Sequence, residues 1–172
     1  PSAMQLGRVW ERSGSLRTIV DPILAELARL SGASAILALP ASAHMRTVAA
    51  VDGVSGPVRY YPLIGELYPA HAGATSKAYF AYVRAEQRQE FFADRPMARF
   101  TERTVTDRKL LEQQFDEIRL RGYAHTVGEY DANIATVAIL VSVHGKPYGS
   151  LSLGAPVGSF TDPLQYLPLV KV

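Results

Sequence analysis

Cysteine is absent from the chain, which excludes disulfides, thiolate nucleophiles and cysteine-ligated metals. The absence agrees with a reducing compartment, and the expected location is the cytoplasm. Long apolar runs are absent too. Nothing approaches the roughly 18 uninterrupted apolar residues of a membrane span, and no basic stretch followed by an apolar one opens the chain as a secretory signal would. There is no strand-to-helix G-x-G-x-x-G and no P-loop, which disfavours a parallel nucleotide-binding sheet. The histidines are His44, His71, His125 and His144. No two of them have the spacing of a local metal motif, so neither a metal nor a cofactor is expected. Excess charge is missing as well: 18 Lys and Arg face 16 Asp and Glu, a net +2. Between Arg84 and Arg121 the arginines alternate with acids such as Glu86, Glu90, Glu102, Asp107 and Glu112, close enough to cancel the field. That pattern describes solvated helix faces rather than a nucleic-acid surface.

What is present suits one domain with a full core: 172 residues, 48% hydrophobic and 20% charged. Pro1-Ser2-Ala3-Met4 continues no pattern after it and reads as a cloning remnant, so the domain is expected over residues 5–172. Leu16, Ile19, Val20, Ile23, Leu24, Leu27 and Leu30 recur at helical spacing and predict an amphipathic helix from about Arg12 to Ser31. Gly32 stops it, and Pro22 is expected to kink or divide it. Ala35–Leu39, Arg46–Val51 and Val58–Leu63 read as strands separated by turns. A helix is expected from His71 to about Arg84 and a short one over Glu86–Ala93. Thr106 or Asp107 caps another through Arg121, with Leu110, Leu111, Phe115, Ile118 and Leu120 apolar and Gly122 ending it. Ile134–Val143 is the strongest strand, and His144-Gly145-Lys146 turns it back into Tyr148–Leu153. Ser159 or Thr161 could cap a last helix with Pro163 in its first turn. Short turns between strands, with helices before and after, imply an α+β layering with an antiparallel sheet.

Three features could carry chemistry. The segment His71-Ala72-Gly73-Ala74-Thr75-Ser76-Lys77 combines small residues, a helix start and hydroxyl donors, which would admit a ligand close to the backbone. The same small residues would equally let a helix approach a sheet. Gly149-Ser150-Leu151-Ser152-Leu153-Gly154 is not a G-x-S-x-G elbow and reads as a strand. Alternation places Ser150, Ser152 and Gly154 on one face, either in a pocket or on an ordinary polar face. Tyr60, Tyr61, Tyr68, Tyr123 and Tyr130 offer flat apolar area with a polar tip around such a site. No nucleophile–base arrangement stands out, so no catalytic residue is assigned.

In order and spacing, several pieces resemble the effector-binding domain of the IclR family of bacterial transcriptional regulators. They are Leu6-Gly7 and Leu27-Ala28-Arg29-Leu30-Ser31-Gly32; Gly65, Pro69-Ala70-His71-Ala72 and Ser76-Lys77-Ala78; Arg103-Thr104-Val105-Thr106-Asp107; Arg121-Gly122-Tyr123 with Glu129-Tyr130; and Ser152-Leu153-Gly154-Ala155-Pro156. The resemblance runs from about Leu6 to Thr161. It implies a GAF- or profilin-like domain whose curved antiparallel sheet cups a small-molecule effector. It also implies homodimers or tetramers, and DNA contact only through a winged helix-turn-helix domain that this sequence lacks. The implied effector contacts are Tyr60 and Tyr68; Gly73, Ala74 and Thr75; Thr126 and Thr136; and Ser152 and Gly154. Where many members carry two acids, this chain has Thr126-Val127-Gly128, and where they carry an Arg-Cys pair it has Ala135-Thr136. The missing acids make the implied pocket less negative and favour an anionic or neutral ligand; the expected effector is a small organic acid, aromatic acids included. The other readings are a free-standing GAF-like binding module and a small enzyme.

Overall fold

The computed structural model describes residues 3–53, 64–93, 96–159 and 163–170. Helix α1 (Ala3–Ser31) precedes a hairpin of β1 (Ser34–Ala41) and β2 (His44–Val51). A short β3 (Leu67–Pro69) leads into α2 (Ala74–Phe80), α3 (Ala85–Phe92) and α4 (Arg108–Arg121). Then come β4 (Ala124–Val127), β5 (Ile134–Val143) and β6 (Lys146–Pro156), two short helical turns and α5 (Leu167–Val170). The six strands form one antiparallel sheet in the order β3-β2-β1-β6-β5-β4. It curls into a half-barrel, and the fold is the expected α+β, GAF/profilin-like class.

Strand alternation divides the sheet into two faces, each with its own core. Ala35, Leu37, Val137, Leu153 and Ala155 meet Leu24, Leu27 and Ala28 of α1 on one face. Ala38, Met45, Ala124 and Ala138 meet Ala74 and Ala78 of α2 on the other, and Leu111, Phe115 and Ile118 of α4 close that core from outside. Only part of the expected apolar stripe of α1 is used: Ile19, Ile23 and Leu30 are exposed. Helix α1 is also unbroken at Pro22. The ring lies on the exposed side, so the helix forgoes one hydrogen bond and continues under the packing of Leu24 and Leu27.

Local rules set several boundaries. Asp107 accepts a hydrogen bond from the Leu110 amide as N-cap of α4, and Gly122, at φ 79°, takes the left-handed position that ends it. Leu110 and Leu120 of the expected apolar set face solvent. His144 and Gly145 both have positive φ, 50° and 73°, as a two-residue turn between β5 and β6 requires. Two strands escaped sequence reading: β3 has 3 residues and β4 has 4, too few for a period to show. The expected strand Val58–Leu63 lies outside the described residues. At the chain's end, a 3₁₀ turn over Pro163–Tyr166 and a single α-helical turn replace the expected last helix.

Candidate functional site

The pairing register builds the floor of a cavity. Gly154 on β6 is paired with Thr136 on β5, and Thr136 with Thr126 on β4, so the three form one transverse row. In the next row Ser152 is paired with Ile36 on β1 and with Ala138 on β5. The start of α2 sits above these rows. Gly73 has φ 86°, which favours glycine, and this is why α2 begins at Ala74 rather than at the expected His71. The helix also ends early, at Phe80, where Arg119 donates to the Ala81 carbonyl at 2.5 Å.

The cavity between α2 and the sheet is lined by Tyr68, Gly73, Ala74, Thr75, Thr126, Thr136 and Gly154, all anticipated from sequence. Ser152 adjoins it, fully buried, and its hydroxyl accepts a hydrogen bond from Thr75 Oγ1 at 3.0 Å. Tyr60 lies outside the described residues. Of the other tyrosines, Tyr130 joins the lining, its ring 5.1 Å from that of Tyr68. Tyr123 does not, since it packs under the Arg121 guanidinium at 4.7 Å. Ser150 is buried elsewhere on the same sheet face. Ile36, Ala72, Glu129, Asp131 and Ile134 complete the lining and were not assigned from sequence. Alternation could have found Ile36, which shares the face of the Ser152 row. The free volume is about 30 Å³, room for one or two water molecules.

Glu129 organises the site. One carboxylate oxygen accepts the Gly73 amide at 2.8 Å, and the other is ion-paired to Lys77 Nζ. Lys77 Nζ donates its next hydrogen bond to Gln114 of α4 at 2.6 Å, and the side chain is almost wholly buried. Burial lowers the Lys77 pKa below its ordinary value, and Glu129 works against that shift. The Ala74 amide is taken by Thr126 Oγ1 at 3.0 Å. The first two amides at the start of α2 are therefore already bonded within the chain. With 7 residues, α2 also has a shorter dipole than the expected helix would have had.

The Arg103–Asp107 motif supports Glu129 from behind. Thr104 Oγ1 donates to the Glu129 carbonyl at 2.8 Å and accepts the amides of Phe100 and Thr101. Thr101 Oγ1 donates to the Gly128 carbonyl at 2.7 Å. His71 has a similar tethering role: its Nε2–H donates to the Ala98 carbonyl at 2.8 Å. Burial holds its pKa below the ordinary value, against the pull of that hydrogen bond.

The unfolded chain protonates His71 near pH 6.5 and the folded chain only at lower pH. Its contribution is therefore complete above about pH 6.5 and is lost as the pH falls through the lower folded value. His71→Gln, which keeps a donor, should flatten this part of the acid limb in urea melts. An unchanged limb would remove His71 as its source.

Among the described residues no three His, Asp or Glu side chains form a metal-binding group, and no helix is long and apolar enough to cross a membrane. The chain is 26% identical over 162 residues to the transcriptional repressor IclR of Escherichia coli K12, covering 93% of this chain and 59% of that protein. It therefore spans somewhat over half the length of that relative. Among solved structures, IclR of Thermotoga maritima superposes with a TM-score of 0.83 at 21% identity, covering 95% of this chain and 70% of that one. The inducer-binding domain of PobR from Acinetobacter, a double mutant in complex with 3-hydroxybenzoic acid, superposes with a TM-score of 0.80 at 20% identity, covering 90% and 92%. These relatives are regulators, not enzymes. The family profile described as bacterial transcriptional regulator IclR C-terminal matches residues 12–167, and the chain belongs to that family.

Proposed function

We propose that residues 5–172 form the effector-sensing and dimerising domain of an IclR-type regulator, and that the effector is a small organic acid, aromatic acids included. The supporting observation is the cavity beneath α2, where separate segments bring hydroxyls and tyrosine rings together over two rows of the sheet. The PobR neighbour, whose structure holds 3-hydroxybenzoic acid, lends the class of ligand. The carboxylate is placed at the hydroxyls of Thr75, Ser152 and Thr136 rather than at the α2 amides, because Glu129 and Thr126 already occupy the first two. The ring lies against Tyr68 and Tyr130.

Small-molecule sites span about 300–1,000 Å³, so a cavity of about 30 Å³ must open to admit such an acid. Opening separates the start of α2 from β4 and the segment after it, where Thr126 and Glu129 hold it. Binding then selects a wider arrangement of the domain, a population shift passed to DNA-binding heads joined to it. The exposed Ile19, Ile23 and Leu30 of α1 suit contact between copies in a homodimer or tetramer.

A thermal-shift series with 3-hydroxybenzoate, benzoate and short aliphatic acids tests the reading. Saturation at about 100 times Kd adds about 2.7 kcal/mol, or about 5–10 °C for a chain of this size. Gly154→Leu, which fills the cavity floor, should abolish the shift. Stabilisation by an amine or a sugar and by none of the acids would reject the acid as ligand.

A further inference from the structure

A second cleft lies behind the segment that forms the first cavity. This open cleft has a volume of about 500 Å³, inside the usual range for a small-molecule site. Phe91, Phe92, Met97 and Phe100 give it flat, apolar walls, and Ser42 and His44 at the β1–β2 turn border its polar side. His71 presents its ring to the same cleft and stays fixed by its bond to Ala98. Rings run without a gap from one cavity to the other. Tyr130 is 4.8 Å from Phe100, Phe100 is 6.0 Å from His71, and His71 is 6.4 Å from Phe92.

The chemistry of this cleft differs from that of the first cavity. Among the described residues bordering it, Glu90 is the single formally charged side chain at neutral pH. Its carboxylate makes no hydrogen bond or ion pair with another described residue. Aromatic faces attract a cation through the negative face of the ring, and a nearby carboxylate adds to the attraction. We propose that this cleft is a second ligand site and takes an arylalkyl amine, with its flat ring among Phe91, Phe92, Phe100 and Met97 and the ammonium beside Glu90. The occupant of the first cavity does not enter this assignment.

Tyramine is a suitable probe, with p-cresol as its uncharged counterpart and benzoate as the anion. Calorimetric titration into the whole chain should give saturable binding of tyramine, about tenfold weaker binding of p-cresol and none of benzoate at this site. In NMR spectra the ring signals of His71 and Phe100 should move with tyramine. Glu90→Lys changes an exposed side chain that holds nothing in place, so its melting temperature should match the parent while tyramine binding weakens about tenfold or more. The proposal is overturned if tyramine fails to bind at millimolar concentration, or if Glu90→Lys binds it as tightly as the parent. It is equally overturned if Gly154→Leu blocks tyramine, because the amine would then occupy the first cavity.

Discussion

Replacing Glu129 with alanine should lower stability by about 3–5 kcal/mol, the typical cost of leaving one partner of a buried ion pair alone. Lys77 is 1% exposed and Glu129 6%, so no solvent is at hand to take over the lost contact. The substitution also removes the acceptor of the Gly73 amide at the start of α2. Without its partner, Lys77 is left to the burial that already lowers its pKa. The unfolded chain then holds a proton that the folded chain resists, so the variant should recover stability as the pH rises toward about 10. Urea melts at pH 7 and near pH 10 would read both effects. Lys77→Met combined with Glu129→Gln should restore most of the loss at pH 7, because a buried pair replaced as a unit leaves no uncompensated charge. A single-variant loss below about 1 kcal/mol would show that the pair is not what holds α2 to the segment after β4.

Phe115→Ala is expected to cost about 3–5 kcal/mol by a different route, the loss of a large ring from a packed core. Phe115 of α4 is fully buried in the second core, which also holds Ala74, Ala78 and Phe80 of α2 and Phe92 of α3. Its ring also lies 5.0 Å from the guanidinium carbon of Arg88, which is itself buried and bonded to Glu112 and the Val83 carbonyl. Alanine leaves a void and removes the surface on which that cation rests, loosening α3 from α4 together. Calorimetric unfolding should show a fall in Tm of about 6–20 °C. Leu120→Ala on the same helix is the control: at 89% exposure it should stay within about 0.5 kcal/mol of the parent. Equal losses from the two substitutions would mean that α4 is not packed as described.

Elements governed by local rules could be read from the residues alone. The end of α4 at Gly122 and the turn at His144-Gly145 each depend on a backbone position that a nearby residue dictates. The unbroken α1 could not be read that way, because packing downstream of Pro22 offsets a local penalty. Nor could β3 and β4, which exist through partners contributed by other strands.

The same division runs through the site. The pattern of small residues and hydroxyls over Gly73-Ala74-Thr75 marked a segment that lines the cavity. What those residues bond to is settled at long range: Thr126 lies 52 residues from Ala74, and Glu129 lies 56 from Gly73. Sequence spacing therefore pointed to an open helix start, whereas the fold closes it with its own carboxylate and hydroxyl. Glu129 was visible as part of a motif, but its double contact with Gly73 and Lys77 emerges only once β4 is laid beside α2.

The two rims of the sheet are its shortest members among the described residues, β3 with 3 residues and β4 with 4, while the longest strands, β5 and β6, lie inside. Brief rims offer little unpaired backbone for a foreign strand to template on. Among the described residues β5 runs on past β4, leaving residues 139–143 without a strand partner on that side, so the brief rims limit edge-to-edge pairing only along their own length. Contact between copies through side chains on helix or sheet faces would be open to separation by point mutation without unravelling the sheet.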